Sequence, residues 1–171
     1  MRKLLQPGPA LEPRLIALAA EAAQELRVVL PEGGDLHEGL ISTLRGAGIA
    51  DAAIRITGGS FASLQYLTGQ PDTSGERVAT YGAPTPLEGP VLLIGASAIL
   101  GRLENGDPIL HCHAVVADRA ARIHGGHLPP GVCIAGPEGL VAWVTVLSGG
   151  GFAVGYDAET NYQIFQPAEV A

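Results

Sequence analysis

Twenty-four glycines and thirteen prolines cut this 171-residue chain into short apolar runs, and that punctuation constrains the fold more than any other feature of the sequence. Glycine tolerates positive φ and proline fixes a negative one, so both favour turns. No Gly-X-Y period accompanies them, so the pattern reads as many tight turns and loops and not as a fibre. The runs between are apolar enough for a sizeable core. Hydrophobic residues are 47% and mean hydropathy is +0.26, which argues against disorder. With aromatics at only 5%, that core should be built mainly of Ala, Val, Leu and Ile.

Along the chain, residues 12–24 are rich in Ala and Leu with Glu at intervals, a pattern that predicts a helix after a Pro-rich start. ELRVVL (25–30) reads as a strand. PEGG (31–34) reads as a turn, and Asp35 as the N-cap of a helix over LHEGLISTLRGAG that Gly46 and Gly48 stop. Strands are expected at 52–61 and 62–69, with a bulge or close approach at Gly58–Gly59, and at 77–82 and 90–100. Asn105–Gly106 is the strongest hairpin signal in the chain, with 109–118 as the returning strand. A short strand within 121–131 and further strands at 132–136, 140–148 and 161–165 complete the series, and Gly149–Gly151 reads as a flexible turn. Trp143, in an apolar run, is expected in the core. With two early helices and roughly eight short strands, the expected class is α+β: a single compact domain with a mixed or antiparallel-rich sheet and few helices. Residues 1–24 form an N-terminal extension carrying the short helix, and 25–171 form the domain proper.

The net charge is −7, and the basic residues, all arginine except Lys3, are scattered. Such a balance repels a phosphate backbone, so autonomous DNA binding starts from a poor position. Two cysteines, Cys112 and Cys133, are too few for a disulfide scaffold and are not spaced as CxxC, so a reduced, cytoplasmic setting is expected. Pro7, Pro9, Pro13, Glu12 and Glu21 interrupt any signal-peptide core. The apolar stretch around Leu15–Ala23 is far below the ~20 residues that span a bilayer, so no membrane role is expected.

The chemically loaded stretch is ILHCHAVVAD (109–118) followed by IHGGHL (123–128). Side chains two apart on a strand share a face, so His111 and His113 project together while Cys112 points the other way, into the core. Paired imidazoles suit a transition metal such as zinc. His127 is the best third ligand, because 118–122 can turn the chain back and Gly125–Gly126 allow close approach. Three imidazoles with an open fourth position match a catalytic zinc arrangement, whereas structural zinc sites usually close with four ligands. The plain alternative is a set of hydrogen-bonded structural histidines. His124 is expected to be a spare loop or surface residue, and His37, in the early helix, to be structural.

LHCH followed by GGHL (His111-Cys112-His113 and Gly125-Gly126-His127-Leu128) resembles the signature of the plant and prokaryote conserved domain, PPC or PCC. LPEGGDLHEGLISTLRGAGI (30–49) and AAIRITGGSFASLQYL (52–67) are similar to its upstream elements, and the resemblance covers about residues 25–148. It implies an α/β domain with an antiparallel-rich sheet, assembled as a homotrimer, and in some prokaryotic members a metal on the corresponding histidines. The AT-hook of the plant proteins is absent here. Together with the charge of −7, that leaves the DNA-binding label often given to bacterial members without support in this chain.

Two functional classes follow. One is a metal-dependent enzyme or binder of an unknown small molecule, with Glu104, Asp107 and Asp118 as nearby polar groups. The other is a trimeric interaction or regulatory protein whose histidines are structural. Other motifs fail. Gly58-Gly59-Ser60 is no phosphate loop, there is no GxSxG elbow, and Ser60 and Ser97 lack an obvious base.

Overall fold

The computed structural model describes residues 5–13 and 16–169. Among these residues, ten strands and one helix follow in the order β1 (Glu21–Leu30), α1 (Leu36–Gly46), β2 (Ala52–Tyr66), β3 (Gly69–Pro71), β4 (Ala79–Tyr81), β5 (Thr85–Arg102), β6 (Pro108–Ala117), β7 (Ile123–Leu128), β8 (Ile134–Ser148), β9 (Gly150–Asp157) and β10 (Tyr162–Glu169). The main sheet runs β1-β8-β2-β5-β6-β7 with every neighbouring pair antiparallel. The β9–β10 hairpin joins it through a single parallel contact, Arg102 to Ala153, and β3–β4 form a separate ribbon. The single sheet-rich domain is borne out, but the α+β expectation fits only loosely, because one short helix accompanies ten strands.

The helix expected over 12–24 is not there. Residues 14 and 15 lie outside the described residues, 16–20 have no regular structure, and from Glu21 the chain is already in β1. Glu21 pairs with Ser148, and the ladder continues to Leu30 opposite Leu140. Alanine's helix preference is a few tenths of a kcal/mol per residue, less than a continuous ladder beside β8 offers. The expected helix at Asp35 forms as read. The Asp35 carboxylate accepts from the N–H groups of His37 and Glu38, at 2.9 and 3.0 Å. Leu36, Leu40 and Leu44, one helical turn apart, are fully buried.

Those leucines cover one face of the sheet, where Ile54, Ile56, Ala98, Leu100, Cys112, Val116 and Val144 alternate inward from neighbouring strands. The other face carries Arg55, Ser97, His113, Val115 and Trp143, all exposed. Trp143 is therefore not core. It pairs with Arg55 on the open face, because burial on β8 falls to the even-numbered neighbours Ala142 and Val144. The long β2 bends at Gly59, where φ is +109° and the register with β8 shifts. An added side chain there would run into the Gly139 carbonyl, so only glycine allows the approach. This bend carries the end of β2 around to β7, the far edge of the sheet, where Leu67 meets His127.

Candidate metal centre

Strand β6 pairs with β5 on one side and β7 on the other, and its alternation decides which side chains meet. Cys112 and Ala114 are buried on the core face, so His111 and His113 stand on the opposite one. The 118–122 turn, closed by Asp118 and Arg122, sends the chain back as β7 in a register that sets His127 directly opposite His113. His127 is then fixed from its far side by Leu67. Glycine at 125 and 126 is a spatial requirement: a Cβ on Gly125 would crowd the Ala114 carbonyl and one on Gly126 the Leu67 carbonyl.

The three imidazoles form one cluster, with one ligand atom from each lying within 4.8 Å of the others. The ring centroids are 4.9 Å apart for His111–His113, 4.6 Å for His111–His127 and 5.4 Å for His113–His127. Nε2 of His111 and Nε2 of His113 are 2.9 Å apart. Two nitrogens on one tetrahedral zinc sit about 3.4 Å apart, so a small opening of the rotamers would seat an ion between them. Desolvation holds the cluster neutral. It lowers the pKa of His111 and His113 below the usual 6.5, and with the fields of His111 and His113 it takes His127 down to about 4. Neutral imidazole is the ligating form. His127 also buries Nδ1 without a well-formed hydrogen bond among the described residues, a position costing about 1–3 kcal/mol that a coordinated cation on that nitrogen would relieve. The donor set therefore fits a divalent ion of the borderline class, zinc included.

His111 and His127 open onto a cleft of about 730 Å³. Tyr81 stacks on His127 with centroids 5.0 Å apart and planes inclined 21°, and Phe165 meets His111 edge-on at 6.2 Å. Of the acidic residues named from sequence, only Glu104 lines this cleft, at its exposed rim. Asp107 closes the Asn105 turn by accepting from its side-chain amide, and Asp118 is committed to Arg122 and His124.

His124 is not spare. One ring nitrogen lies 3.2 Å from the Tyr66 hydroxyl and the other 3.1 Å from the Asp118 carboxylate, a half-buried chain that ties β7 to β2. The backbone N–H and then the side chain of Arg122, with His124, hold the Asp118 carboxyl well below the usual range. Strand alternation from His127 puts His124 on the other face of β7, so the sequence could have excluded it from the ligand set but offered nothing to identify its partners. His37, as expected, is buried in α1. Desolvation lowers its pKa against the weaker opposing pull of Asp35 and the nearby Leu128 backbone, and among the described residues neither ring nitrogen makes a well-formed hydrogen bond. Ser60, with no base evident in sequence, donates a hydrogen bond to Glu138 across the β2–β8 ladder.

The histidine pair on one strand and its partner behind two glycines are the features that carried the family resemblance. The Plants and Prokaryotes Conserved (PCC) domain model matches residues 18–145, most of the chain, and the chain belongs to this family. Among solved structures, it is similar to a metal-containing protein from Archaeoglobus fulgidus, with 20% identity, TM-score 0.68, 89% of this chain and 99% of that one covered. It is also similar to a plant- and prokaryote-conserved protein from Pyrococcus horikoshii, at 16% identity and TM-score 0.67, covering 91% and 100%. A third is a candidate DNA-binding protein from Ralstonia eutropha JMP134, at 19% identity and TM-score 0.64, covering 82% and 89%. At these identities the likeness establishes the fold alone. No protein with a curated description matches the sequence. Among the described residues, no helix is long and apolar enough to cross a membrane.

Proposed function

We propose that this PCC-domain protein holds a divalent metal, zinc foremost, on His111, His113 and His127, and offers the remaining coordination position to a small molecule in the adjoining cleft. The observation that carries the reading is the neutral three-imidazole cluster opening directly onto that cleft. The metal-containing relative from Archaeoglobus fulgidus supports it. A cation there would supply Lewis-acid polarisation of a bound oxygen group. The chain's own residues do the rest. Leu67 fixes His127, the β5–β6 ladder orients His111 and His113, and Tyr81 limits the approach of water to His127. Glu104, on the rim, is the carboxylate placed to exchange protons with a molecule in the cleft. A reducing, cytoplasmic setting suits the two buried free thiols.

The assembly we propose is a homotrimer, supported by the exposed apolar residues Leu92, Ile94, Val115 and Ile123, which neighbour one another on the open face of β5, β6 and β7. The competing reading, a trimeric interaction or regulatory protein with structural histidines, is favoured by the 2.9 Å contact between His111 and His113, which one proton could also bridge. DNA binding draws no support from a chain of charge −7. Elemental analysis separates the two main readings. About one zinc per chain in the wild type, and none in His111→Ala/His113→Ala, supports the metal site. Metal-free protein after zinc has been supplied leaves the histidines as packing residues.

A further inference from the structure

The cleft beside the histidines is lined by two hairpins, with Tyr81 of β4 beside His127. Its base is Ile99, Ile109 and Leu103 from the β5–β6 hairpin, within the family match. Its outer wall is Val154, Tyr162, Ile164 and Phe165 from β9 and β10, which begin after that match ends at residue 145. The β9–β10 hairpin is held in place by more than its one ladder contact. Asp51, buried just before β2, accepts from the Phe152 N–H at 2.8 Å, and the Arg102 guanidinium lies 3.4 Å from the same carboxylate. Arg102 also donates to the Glu169 carbonyl at 2.6 Å, gripping the end of β10. Phe152 and Phe165 pack edge to face. The hairpin is thus anchored at its open end, where β9 begins and β10 finishes, and presents an apolar wall opposite the imidazoles.

The charges around this volume limit its occupant. Among the described residues Glu104 is the only charged one lining it, and no Lys or Arg does. An anionic group would therefore find its one positive partner at the histidine-bound cation. The rest of the molecule would meet aliphatic and aromatic side chains, with the Tyr81 and Tyr162 rings as flat surfaces. A volume of about 730 Å³ is in the range of pockets for compact organic ligands.

We propose that the β9–β10 hairpin converts the histidine site into a receptor for a small monocarboxylate with an aromatic or branched apolar body, the carboxylate facing the His111–His113–His127 centre and the body lying between Ile109 and the Val154–Phe165 wall. This rests on the metal reading above and adds the ligand class and the element that selects it. A dicarboxylate or phosphate ester is disfavoured, because a second anionic group would be buried in the apolar wall or set near Glu104.

The test is calorimetric titration of the zinc-loaded full chain with acetate and with 3-phenylpropanoate, run beside Ile164→Glu. Ile164 is partly exposed, so the substitution should leave folding intact, and unchanged zinc content and circular dichroism check this directly. The expected result is 3-phenylpropanoate binding at least tenfold tighter than acetate to the wild type. Ile164→Glu should abolish that preference while retaining zinc and acetate affinity. Equal affinity for the two acids in zinc-loaded wild type overturns the ligand assignment and leaves the metal reading standing. A preference that survives Ile164→Glu overturns the role of the hairpin. Failure of the wild type to take up zinc removes the metal reading itself, and this inference with it.

Discussion

His127 and Leu67 exchange two backbone hydrogen bonds, 2.8 Å from the Leu67 N–H to the His127 carbonyl and 2.9 Å in return, and this pair joins the end of β2 to the far edge of the sheet. One residue upstream, Gly126 sits where a Cβ would strike the Leu67 carbonyl and press on the Tyr66 ring. Gly126→Ala should therefore part the pair. The expected destabilisation is about 1–3 kcal/mol by thermal or urea unfolding. Zinc affinity should fall with it, because His127 loses the constraint that faces it toward His113. A variant with wild-type zinc affinity and stability would show that the pair does not position the ligand.

The site was more legible in the sequence than the fold around it. HxH on a strand fixes a common face by period alone, and Gly125–Gly126 announce a close approach, so His111, His113 and His127 could be brought together from spacing. The strands were harder to delimit. Gly58–Gly59, read as a bulge or close approach, is one: the register with β8 shifts there and Gly59 lies against the Gly139 carbonyl, but the two strands expected at 52–61 and 62–69 are a single strand, β2. The Pro-rich segment 83–90, which lies between two expected strands, is largely the start of β5, and GGFAVGYD, read at its front as a flexible turn, is β9. Segment 83–90 lacks the alternation of a strand and is recruited by β2 beside it, whereas in β9 Phe152, Val154 and Tyr156 do alternate and the glycines before them hid the signal. The 12–24 stretch failed in the opposite direction. Its local helix preference was real but weak, and the ladder with β8 outweighed it. The cleft could not be anticipated, since its wall comes from residues 154–165, distant in sequence from the histidines.

His37 should make stability depend on pH in a defined direction. Burial lowers its folded pKa below the usual 6.5, so in mildly acidic solution the unfolded chain binds a proton that the folded chain resists. Stability is then full above about pH 6.5 and is lost as pH falls below it toward the folded pKa, by at most about 1.4 kcal/mol per unit for this one group. His37→Leu should flatten the part of the metal-free protein's pH profile that His37 causes. Urea unfolding between pH 7 and pH 5 reads it directly, and an unchanged slope in the variant assigns the dependence elsewhere.

Cys112 and Cys133 are fully buried free thiols, each pushed up to about 12 chiefly by desolvation. Thiolate is the reactive form, so neither should react with a disulfide reagent at pH 8 while the chain is folded. Both should titrate after denaturation in guanidinium. Rapid labelling of the native protein would show that the β6 region opens locally. The same assay then reports how far Gly126→Ala loosens the sheet, because Cys112 pairs with Leu128 at the end of β7.

The apolar residues of the open face give the assembly its test. Val115 and Ile123 are 45% and 64% exposed, unusually high for such side chains, and Leu92 beside them is 59% exposed. In a trimer these residues would be covered by neighbouring copies, and a carboxylate placed among them would have to be buried unpaired, at a cost of several kcal/mol per interface. In an isolated chain the same substitutions would only replace exposed apolar groups with exposed polar ones, with a stability change within about 0.5 kcal/mol. Sedimentation of wild type and Val115→Glu/Ile123→Glu therefore distinguishes the two. A mass of three chains that falls to one, with the fold retained by circular dichroism, places the interface on this face. A wild type that sediments as a single chain removes the trimer, and a trimer unaffected by both substitutions moves its interface off β6 and β7.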